Sequence, residues 1–290
     1  MAADATRRGC QHVLMASDPV ATLQTYRERL PAALLGGHLT CVWVQEVSTE
    51  SDPYLHRTVP NGSAELVCRV GEMPRIVGPQ TAPTEEELAP GSTVVGVRFR
   101  PGAVPAALGL PASEIVDLDF GADELFGRSA TELGETVASA PTAAEAAVAL
   151  ERALLARLGE APTLDPVVSE AVRLLLPGRD EEVASLAGSL FISERQFRRR
   201  CEAAIGLGPK VLQRMMRFQR FLALSQKADH PAEQIARLAA DAGYADQSHL
   251  TREAVRLAGR SPRALLLEAD HHCRSRHDHD ASYAPFLAVA

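Results

Sequence analysis

Two groups of polar side chains in the C-terminal part of the chain have types and spacing that suit contacts with DNA bases. Arginine can bond guanine through two hydrogen bonds, glutamine can pair with adenine, and the methyl group of threonine can contact thymine. A solvated helix face carries similar residues, so the surrounding elements must decide between these two interpretations. The candidate base-contacting residues are Arg195, Arg198 and Arg199 in the first group, and Gln247, Ser248, Thr251 and Arg252 in the second.

The two groups belong to an internal repeat with an offset of about 53 residues. Arg199 is equivalent to Arg252, and Ser193 is equivalent to Asp246, both of which are residue types that cap helix N-termini well. Gly-Leu-Gly-Pro-Lys at 206–210 corresponds to Gly-Arg-Ser-Pro-Arg at 259–263. Each unit predicts a supporting helix, a turn, a capped second helix, a glycine stop and a helix that begins at proline. This order is typical of the helix-turn-helix.

The repeat also predicts where the helices lie. The supporting helices are predicted at 181–188 and 231–240, and each second helix begins after its capping residue. Apolar residues recur at helical spacing on one face of each second helix. These residues are Phe197, Cys201, Ala204 and Ile205 in the first unit, and Leu250, Ala254 and Leu257 in the second.

A long helix is predicted over 209–226, between the two units. It spans roughly 27 Å at ~1.5 Å per residue, compared with roughly 34 Å between half-sites one DNA turn apart. Such a helix can hold two recognition helices over successive major-groove segments. Four basic residues on its polar side suit a solvated face or phosphate contacts: Lys210, Arg214, Arg217 and Arg220.

The segment Gly243–Arg252, followed by Gly259–Arg263, resembles the signature of the AraC/XylS family of transcription regulators, and Ile192–Arg199 resembles that family's first recognition helix. The resemblance implies two helix-turn-helix subdomains joined by a long helix. It also implies binding to double-stranded promoter DNA, activation with RNA polymerase as a partner, and base contacts by the seven residues named above. Ala254 stands where the family usually has an aromatic residue, and we expect it to loosen the packing beneath the second recognition helix.

The N-terminal half predicts strands followed by helices. Val-rich segments between turn signals predict strands at Leu39–Val47, Ala64–Val70, Arg75–Val77 and Val94–Phe99. Segments 59–67 and 95–103 resemble the β-rich N-terminal domain of some actinobacterial-type members of the family. That resemblance implies a domain that binds a small effector, mediates dimerisation, or does both.

These patterns predict a two-domain α+β protein, with a β-rich, barrel-like N-terminal domain and an all-α C-terminal domain of two helix-turn-helix subdomains. The effector-binding or dimerisation domain is placed at 1–162, with strands to about residue 120 and a helical linker at 128–158. The DNA-binding domain takes 163–270, and 271–290 is predicted to be a disordered tail. Apolar stripes on helices 130–140 and 143–158 suit packing within the chain or against a partner subunit.

Charge and composition agree with a DNA-binding protein of the cytoplasm. Residues 165–268 carry 16 Lys and Arg against 13 Asp and Glu, whereas the whole chain has a formal net charge of −7. The basic charge is therefore local. No apolar run approaches the roughly 18 residues that cross a bilayer, and the first residues lack the apolar core of a secretory signal. The five cysteines are scattered without a Cys-x-x-Cys pair, which fits free thiols.

The N-terminal half offers two weaker candidate sites. His38, Glu46 and His56 would suit a cupin-like metal site, but no tight ligand spacing supports one. A second set suits the lining of a pocket, although the simpler interpretation puts its Trp and Phe in the core and its arginines at the surface. This set is Trp43, Tyr54, His56, Arg98, Phe99 and Arg100.

The alternative function is a small-molecule enzyme, or a metal-binding cupin-like protein, with an accessory helix-turn-helix. The sequence has no Gly-x-Ser-x-Gly, His-Glu-x-x-His or Walker-loop signature. We therefore predict that the protein is not an enzyme and holds no cofactor or metal, with a small-molecule effector and a homodimer as open partners. A histidine-rich tail can bind zinc or nickel, but disorder is the prediction for His271, His272, Cys273, His277 and His279.

Overall fold

The computed structural model describes residues 24–158, 163–176, 183–273 and 277–288. Its N-terminal part is rich in strands and its C-terminal part is helical, as predicted. The strands are β1 (Gln24–Arg29), β2 (Leu39–Val47), β3 (Tyr54–Thr58), β4 (Glu65–Arg69), β5 (Arg75–Val77), β6 (Thr84–Leu88), β7 (Thr93–Phe99), β8 (Asp119–Gly121) and β9 (His277–Asp278).

Seven strands form one sheet in the order β8-β5-β4-β7-β2-β1-β9, and β3 pairs with β6 in a separate two-stranded sheet. Neighbouring strands run antiparallel, except that β9 runs parallel to β1. Gly96 of β7 lies opposite Trp43 of β2, and a Cβ at this glycine would come within 2.3 Å of the indole. The predicted barrel-like domain is therefore an open sheet with a two-stranded companion, and not a closed barrel.

Four predicted strands are observed, as β2, β4, β5 and β7, with ends within one residue of the prediction. The sequence did not single out β3 or β6, because their pairing depends on charge more than on apolar alternation. Three glutamates follow one another in β6, and only Leu88 of this strand is buried. Arg57 of β3 contacts Glu85 of β6 at 2.6 Å across the pair.

The helices are α1 (Val104–Leu108), α2 (Asp123–Phe126), α3 (Arg128–Ala138), α4 (Ala143–Leu158), α5 (Pro166–Leu175), α6 (Val183–Ser189), α7 (Glu194–Ile205), α8 (Pro209–Lys227), α9 (Ile235–Asp241), α10 (Gln247–Ala258), α11 (Pro262–Cys273) and α12 (Asp280–Leu287). Leu150 and Leu154 of α4 pack in the same core as Val97 and Phe99 of the main sheet. This face of α4 is thus used within the chain. Within the described ranges, no helix has the length and apolar character to span a bilayer.

A second apolar core surrounds α8 in the helical part. Phe218 and Phe221 of α8 are fully buried, with their ring centroids 5.8 Å apart. The inward faces predicted for α7 and α10 are confirmed, since the seven apolar residues predicted for them all lie in this core. Ala254 is fully buried there, and the looser packing expected beneath it stays a prediction.

The described part of the predicted tail is ordered, so the prediction of disorder is wrong for 277–288. β9 extends the main sheet beside β1, and α12 contacts both β1 and α8. The backbone N–H of Ser282 donates to the Glu28 carboxylate at 2.8 Å, and Lys227 contacts Asp280 at 2.7 Å. These partners are distant in sequence, and composition alone does not reveal such contacts.

Candidate nucleic-acid interface

The first candidate recognition helix, α7, begins at a capping box. The Ser193 hydroxyl accepts a hydrogen bond from the backbone N–H of Gln196 at 3.3 Å, and the Gln196 side chain accepts one from the N–H of Ser193 at 3.1 Å. Two donors that a helix start leaves unpaired are thereby satisfied. The helix ends at Gly206, whose φ of +82° lies in the left-handed region that favours glycine.

The second candidate recognition helix, α10, has the same construction. The Asp246 carboxylate accepts a hydrogen bond from the backbone N–H of His249 at 2.6 Å. The helix ends at Gly259, with a φ of +68°. The capping residues and the terminal glycines are therefore structurally equivalent in the two units, as the repeat predicts.

Both helices turn their polar faces outward. Arg195, Arg198 and Arg199 of α7 are exposed, and so are Gln247, Ser248 and Arg252 of α10. Thr251 is half-buried, and its hydroxyl donates to the backbone carbonyl of Gln247 at 2.8 Å. The outer faces of the two equivalent helices thus carry the seven predicted residues. The hydroxyl of Thr251 already donates a hydrogen bond within α10 and can only accept one from DNA.

The three candidate DNA-contacting arginines of α7 differ in how far a carboxylate neutralises them. Arg198 donates to Glu202, one turn later, at 2.7 Å. This hydrogen bond, together with the charge of Glu202, raises the pKa of Arg198. In the part of the chain that the structure describes, no ion pair involves Arg195 or Arg199. These two cations are therefore the ones whose charge remains available to a phosphate or a base.

Three of the four basic residues on α8 have partners within the helical part. Arg214 forms a two-bond contact with Glu253 of α10, at 2.7 and 3.0 Å. The guanidinium of Arg217 lies 5.7 Å from the centre of the Tyr244 ring, and Arg220 donates to the carbonyl of Asp241 at the end of α9. These side chains hold α9 and α10 against α8, whereas Lys210 is exposed.

The sequence analysis did not single out Phe191, which lies in the turn before α7. It is 96 % exposed and has a φ of +56°, a conformation that is rare for a residue with a bulky side chain. An exposed aromatic ring beside the first turn of a recognition helix enlarges the surface that DNA can contact. The sequence could not have revealed this exposure, because a Phe in a turn is as compatible with burial as with exposure.

The predicted pocket residues are divided between several places. Trp43, Tyr54, His56 and Arg98 line one cavity of about 350 Å³ between the N-terminal sheets, α8, α11 and the segment 277–283. The simpler interpretation, which places the arginines of this set at the surface, is wrong for Arg98. Arg98 is half-buried and does not lie on the open surface, because its side chain is only 15 % exposed and contacts Glu65 at 2.7 Å.

The other two residues of that set do not line this cavity. Phe99 is fully buried in the core, as the simpler interpretation has it. Arg100 donates to the backbone carbonyls of Gly36 and Leu39, at 2.7 and 3.2 Å. It contributes to a separate cavity of about 310 Å³, which is also bounded by α5, α8 and α12.

The candidate metal ligands do not converge. Glu46 contacts Arg27 at 2.6 Å, while both ring nitrogens of His38 are buried without a hydrogen-bond partner. Among the residues described, no group of three His, Cys, Asp or Glu side chains is arranged to hold a metal ion. The side chains of His271, His272 and Cys273 lie outside the described part of the chain.

Comparison with known families gives two matches. The model of a helix-turn-helix domain family matches residues 186–267, which include α7, α8 and α10. The model of a domain of unknown function, DUF6597, matches residues 27–120. No curated protein matches the chain.

Solved structures of ToxT from Vibrio cholerae are similar at low identity. ToxT from strain O395 is 11 % identical, with 85 % of this chain and 97 % of that chain covered and a TM-score of 0.42. Wild-type ToxT from strain SCE256 with a bound unsaturated fatty acid is 12 % identical, with coverages of 84 % and 94 % and a TM-score of 0.44. An apo ToxT variant is 13 % identical, with coverages of 82 % and 99 % and a TM-score of 0.43.

Proposed function

We propose that this chain, which has a helix-turn-helix domain, is a DNA-binding transcription regulator of the AraC type and that it recognises its promoter with two helices. The first turns of α7 and α10 enter two successive major-groove segments on one face of double-stranded DNA. Arg195, Arg198 and Arg199 contact bases and phosphates in the first segment. The second segment is contacted by Gln247, Ser248, Thr251 and Arg252.

One observation carries this proposal: two capped helices with exposed first turns lie in equivalent units on either side of α8. The 19 residues of α8 span roughly 28 Å. That length is of the order of the separation between half-sites on neighbouring turns of DNA, roughly 34 Å. A solvated helix face would not require a second capped helix with an exposed first turn at the equivalent position of the repeat.

The two recognition helices are expected to contribute differently. α7 presents three arginines at the proposed interface, of which Arg195 and Arg199 are not neutralised by a neighbouring carboxylate in the described structure. Contacts with phosphates supply affinity that does not depend on sequence, whereas contacts with base edges supply discrimination. α7 therefore dominates affinity, and α10, with its more neutral Gln247 and Ser248, adds sequence discrimination.

The N-terminal part, to residue 162, acts as the regulatory domain in this proposal, and residues 163–270 form the DNA-binding domain. The cavity of about 350 Å³ between the two parts has the size of a small-molecule site. We expect a small effector to bind there, and RNA polymerase and a second copy of the chain to be partners. The protein then works in the cytoplasm as a regulator of transcription and catalyses no reaction.

The test uses duplexes selected by the full-length protein from genomic fragments. Arg199→Ala and Arg252→Ala are expected to weaken binding to the selected site by about 1–3 kcal/mol each, because a base contact of this kind contributes that much. Binding to random DNA of the same length should change less. Electrophoretic mobility shift or fluorescence anisotropy at fixed salt measures both affinities.

Arg200→Ala and Arg256→Ala serve as matched controls. Both are exposed arginines on the same two helices, but Arg200 pairs with Asp165 at 3.1 Å and Arg256 lies in the last turn of α10. Their loss removes the same charge away from the proposed interface. Equal losses on selected and random DNA would show that Arg199 and Arg252 contact phosphates only. Absence of any selected fragment would overturn the function itself.

A further inference from the structure

The C-terminal ends of both recognition helices contact the N-terminal part at equivalent positions of the repeat. A Cβ placed on Gly206, at the end of α7, would lie 2.6 Å from the Val116 side chain and 3.0 Å from the carbonyl oxygen of Ala112. A Cβ on Gly259, at the end of α10, would lie 3.7 Å from the ring of Pro83. The N-terminal part therefore contacts both recognition helices at their C-terminal ends, whereas their exposed first turns lie at the other end of each helix.

The contact with α10 is reinforced by a charge. Arg57 of β3 donates to the carbonyl oxygen of Ala258, the last residue of α10, at 3.2 Å. Its other guanidinium nitrogen contacts Glu85 of β6 at 2.6 Å, and the side chain is only 16 % exposed. A cation at the C-terminal end of a helix is stabilised by the partial negative charge of the last carbonyls. The end of α10 is thus fixed to the β3–β6 pair.

The two segments of the N-terminal part that contact the recognition helices are joined to each other by hydrogen bonds. The Asp117 carboxylate accepts hydrogen bonds from both the backbone N–H and the hydroxyl of Thr81, each at 2.6 Å. The backbone N–H of Asp117 donates to the carbonyl of Pro79 at 3.1 Å. We call segments 79–83 and 112–117, joined in this way, the bracket. One of its ends meets α7 and the other meets α10.

The backbone of Asp117 fits this role. Its φ is +57°, in the left-handed region that few non-glycine residues adopt. Asp and Asn are among the residues that tolerate this region best. The side chains of Thr81 and Asp117 are exposed, so changing them removes little of either apolar core. The bracket is therefore a surface connection that can be altered while the rest of the fold stays intact.

We propose that the bracket positions the two recognition helices relative to each other and so sets the spacing of the DNA segments that the protein binds. Thr81 and Asp117 are its positioning residues, and Arg57 of β3 fixes the end of α10 beside it. The proposal rests on the proposed function, because it requires that α7 and α10 both contact DNA. α8 connects the two units, and the bracket contacts the C-terminal end of each recognition helix. Without it, the packing against α8 alone positions α10 relative to α7, which allows a larger range of tilt.

The experiment measures binding of the full chain to duplexes that carry two selected contact segments, with the spacing between them changed in steps of one base pair. The wild-type protein is expected to prefer one spacing sharply. Asp117→Gly retains the positive φ but removes the carboxylate, and Thr81→Val removes the hydroxyl donor. In the double variant we expect a roughly threefold to tenfold loss at the preferred spacing and little change at neighbouring spacings, so that the profile broadens.

Asp117→Asn is the matched control, because it tolerates the same backbone conformation and keeps an acceptor oxygen for the N–H of Thr81. It should retain most of the wild-type spacing profile. Arg57→Ala is a second, independent variant. It removes the hydrogen bond to the carbonyl of Ala258 at the end of α10, and it should broaden the spacing profile as well. Thermal unfolding of each variant shows that the protein is folded.

The outcomes separate the two proposals. Broadening in the double variant and in Arg57→Ala supports the bracket. An unchanged profile, or a loss of the same size at every spacing, overturns it, since reduced stability lowers binding to all duplexes alike. If the wild-type protein binds single-segment DNA as tightly as two-segment DNA, the proposed function of two recognition helices fails instead.

Discussion

Arg98 connects three side chains inside the N-terminal part. Its guanidinium contacts Glu65 at 2.7 Å and Glu28 at 3.2 Å, and it donates to the Tyr26 hydroxyl at 3.4 Å. Burial acts to lower the pKa of Arg98, but the facing groups, led by Glu65, raise it well above the usual value. A buried charge of this kind is tolerated only because its partners are in place.

Glu28 is held in its charged form by the same network. Burial raises the pKa of this carboxyl, but hydrogen bonding and charge from His279, together with Arg98 and Ser282, outweigh burial and lower the pKa to about 2. Ser282 and His279 belong to the C-terminal segment, so this carboxylate also ties the last helix to β1. Sequence reasoning placed Arg98 among possible pocket residues, but it had no signal for partners 33 and 70 residues away.

His56 makes the stability of the N-terminal part depend on pH. Burial, followed by the charges of Arg98 and His279, lowers the pKa of His56 from 6.5 to about 4. The unfolded chain therefore takes up a proton near pH 6.5 that the folded chain resists until about pH 4. Because the unfolded state binds more protons in this range, stability falls as the pH is lowered.

We expect this residue to reduce the free energy of unfolding by about 1–3 kcal/mol between pH 7 and pH 4. His56→Gln, which cannot be protonated, should show a shallower decrease over the same range. Chemical denaturation at a series of pH values measures the difference between the two proteins. Parallel curves for wild type and variant would contradict the assignment.

At the scale of elements, the helices of the DNA-binding part were predictable because their signals are local. Ser193, Asp246 and the two terminal glycines determine where α7 and α10 begin and end, and these signals need no distant partner. The paired strands β3 and β6 were missed because they are rich in charged residues, one pair of which, Arg57 and Glu85, forms an ion pair across the ladder. A run of charged residues such as that in β6 predicts a loop when the strand with which it pairs is not known.

The capping box of α7 gives a prediction at this scale. Ser193→Ala removes the acceptor for the N–H of Gln196 and should lower the stability of the DNA-binding part by about 1 kcal/mol. DNA affinity should fall as well, because the first turn carries Arg195. Ser193→Thr keeps an acceptor hydroxyl and should behave like wild type. Thermal unfolding and anisotropy titrations check the two effects, and an unchanged melting temperature in Ser193→Ala would contradict the capping role.

At the scale of the whole molecule, the two parts are joined more extensively than the sequence suggested. Gln219 of α8 donates to the carbonyl of Pro60 at 3.0 Å in a buried contact, and α12 lies against both β1 and α8. The sequence predicted the two-domain organisation well, since composition and periodicity change along the chain. It could not predict how the domains pack, because no repeat or spacing encodes contacts between residues more than 150 positions apart.

Removing residues 277–290 should uncouple the two parts. In the intact chain β9 and α12 bridge them, so we expect unfolding in one cooperative calorimetric transition. The shortened chain should show two transitions, with the N-terminal part melting about 2–4 °C lower for each kcal/mol that is lost. Lys227→Ala, which removes only the exposed contact with Asp280, is the control, since such pairs contribute little. A single transition in the shortened chain would contradict this bridging role.

The pairing of β9 with β1 has a consequence for synthesis. β1 leaves the ribosome early, whereas its outer neighbour is made roughly 250 residues later, which takes about 10–50 s at typical elongation rates. During that interval the outer hydrogen-bonding edge of β1 has no strand beside it, and an open edge is a template for pairing with other chains. A nascent chain of this protein therefore presents an open sheet edge to wrong association until residues 277–278 have been made, and a chain that stops before them would keep that edge open.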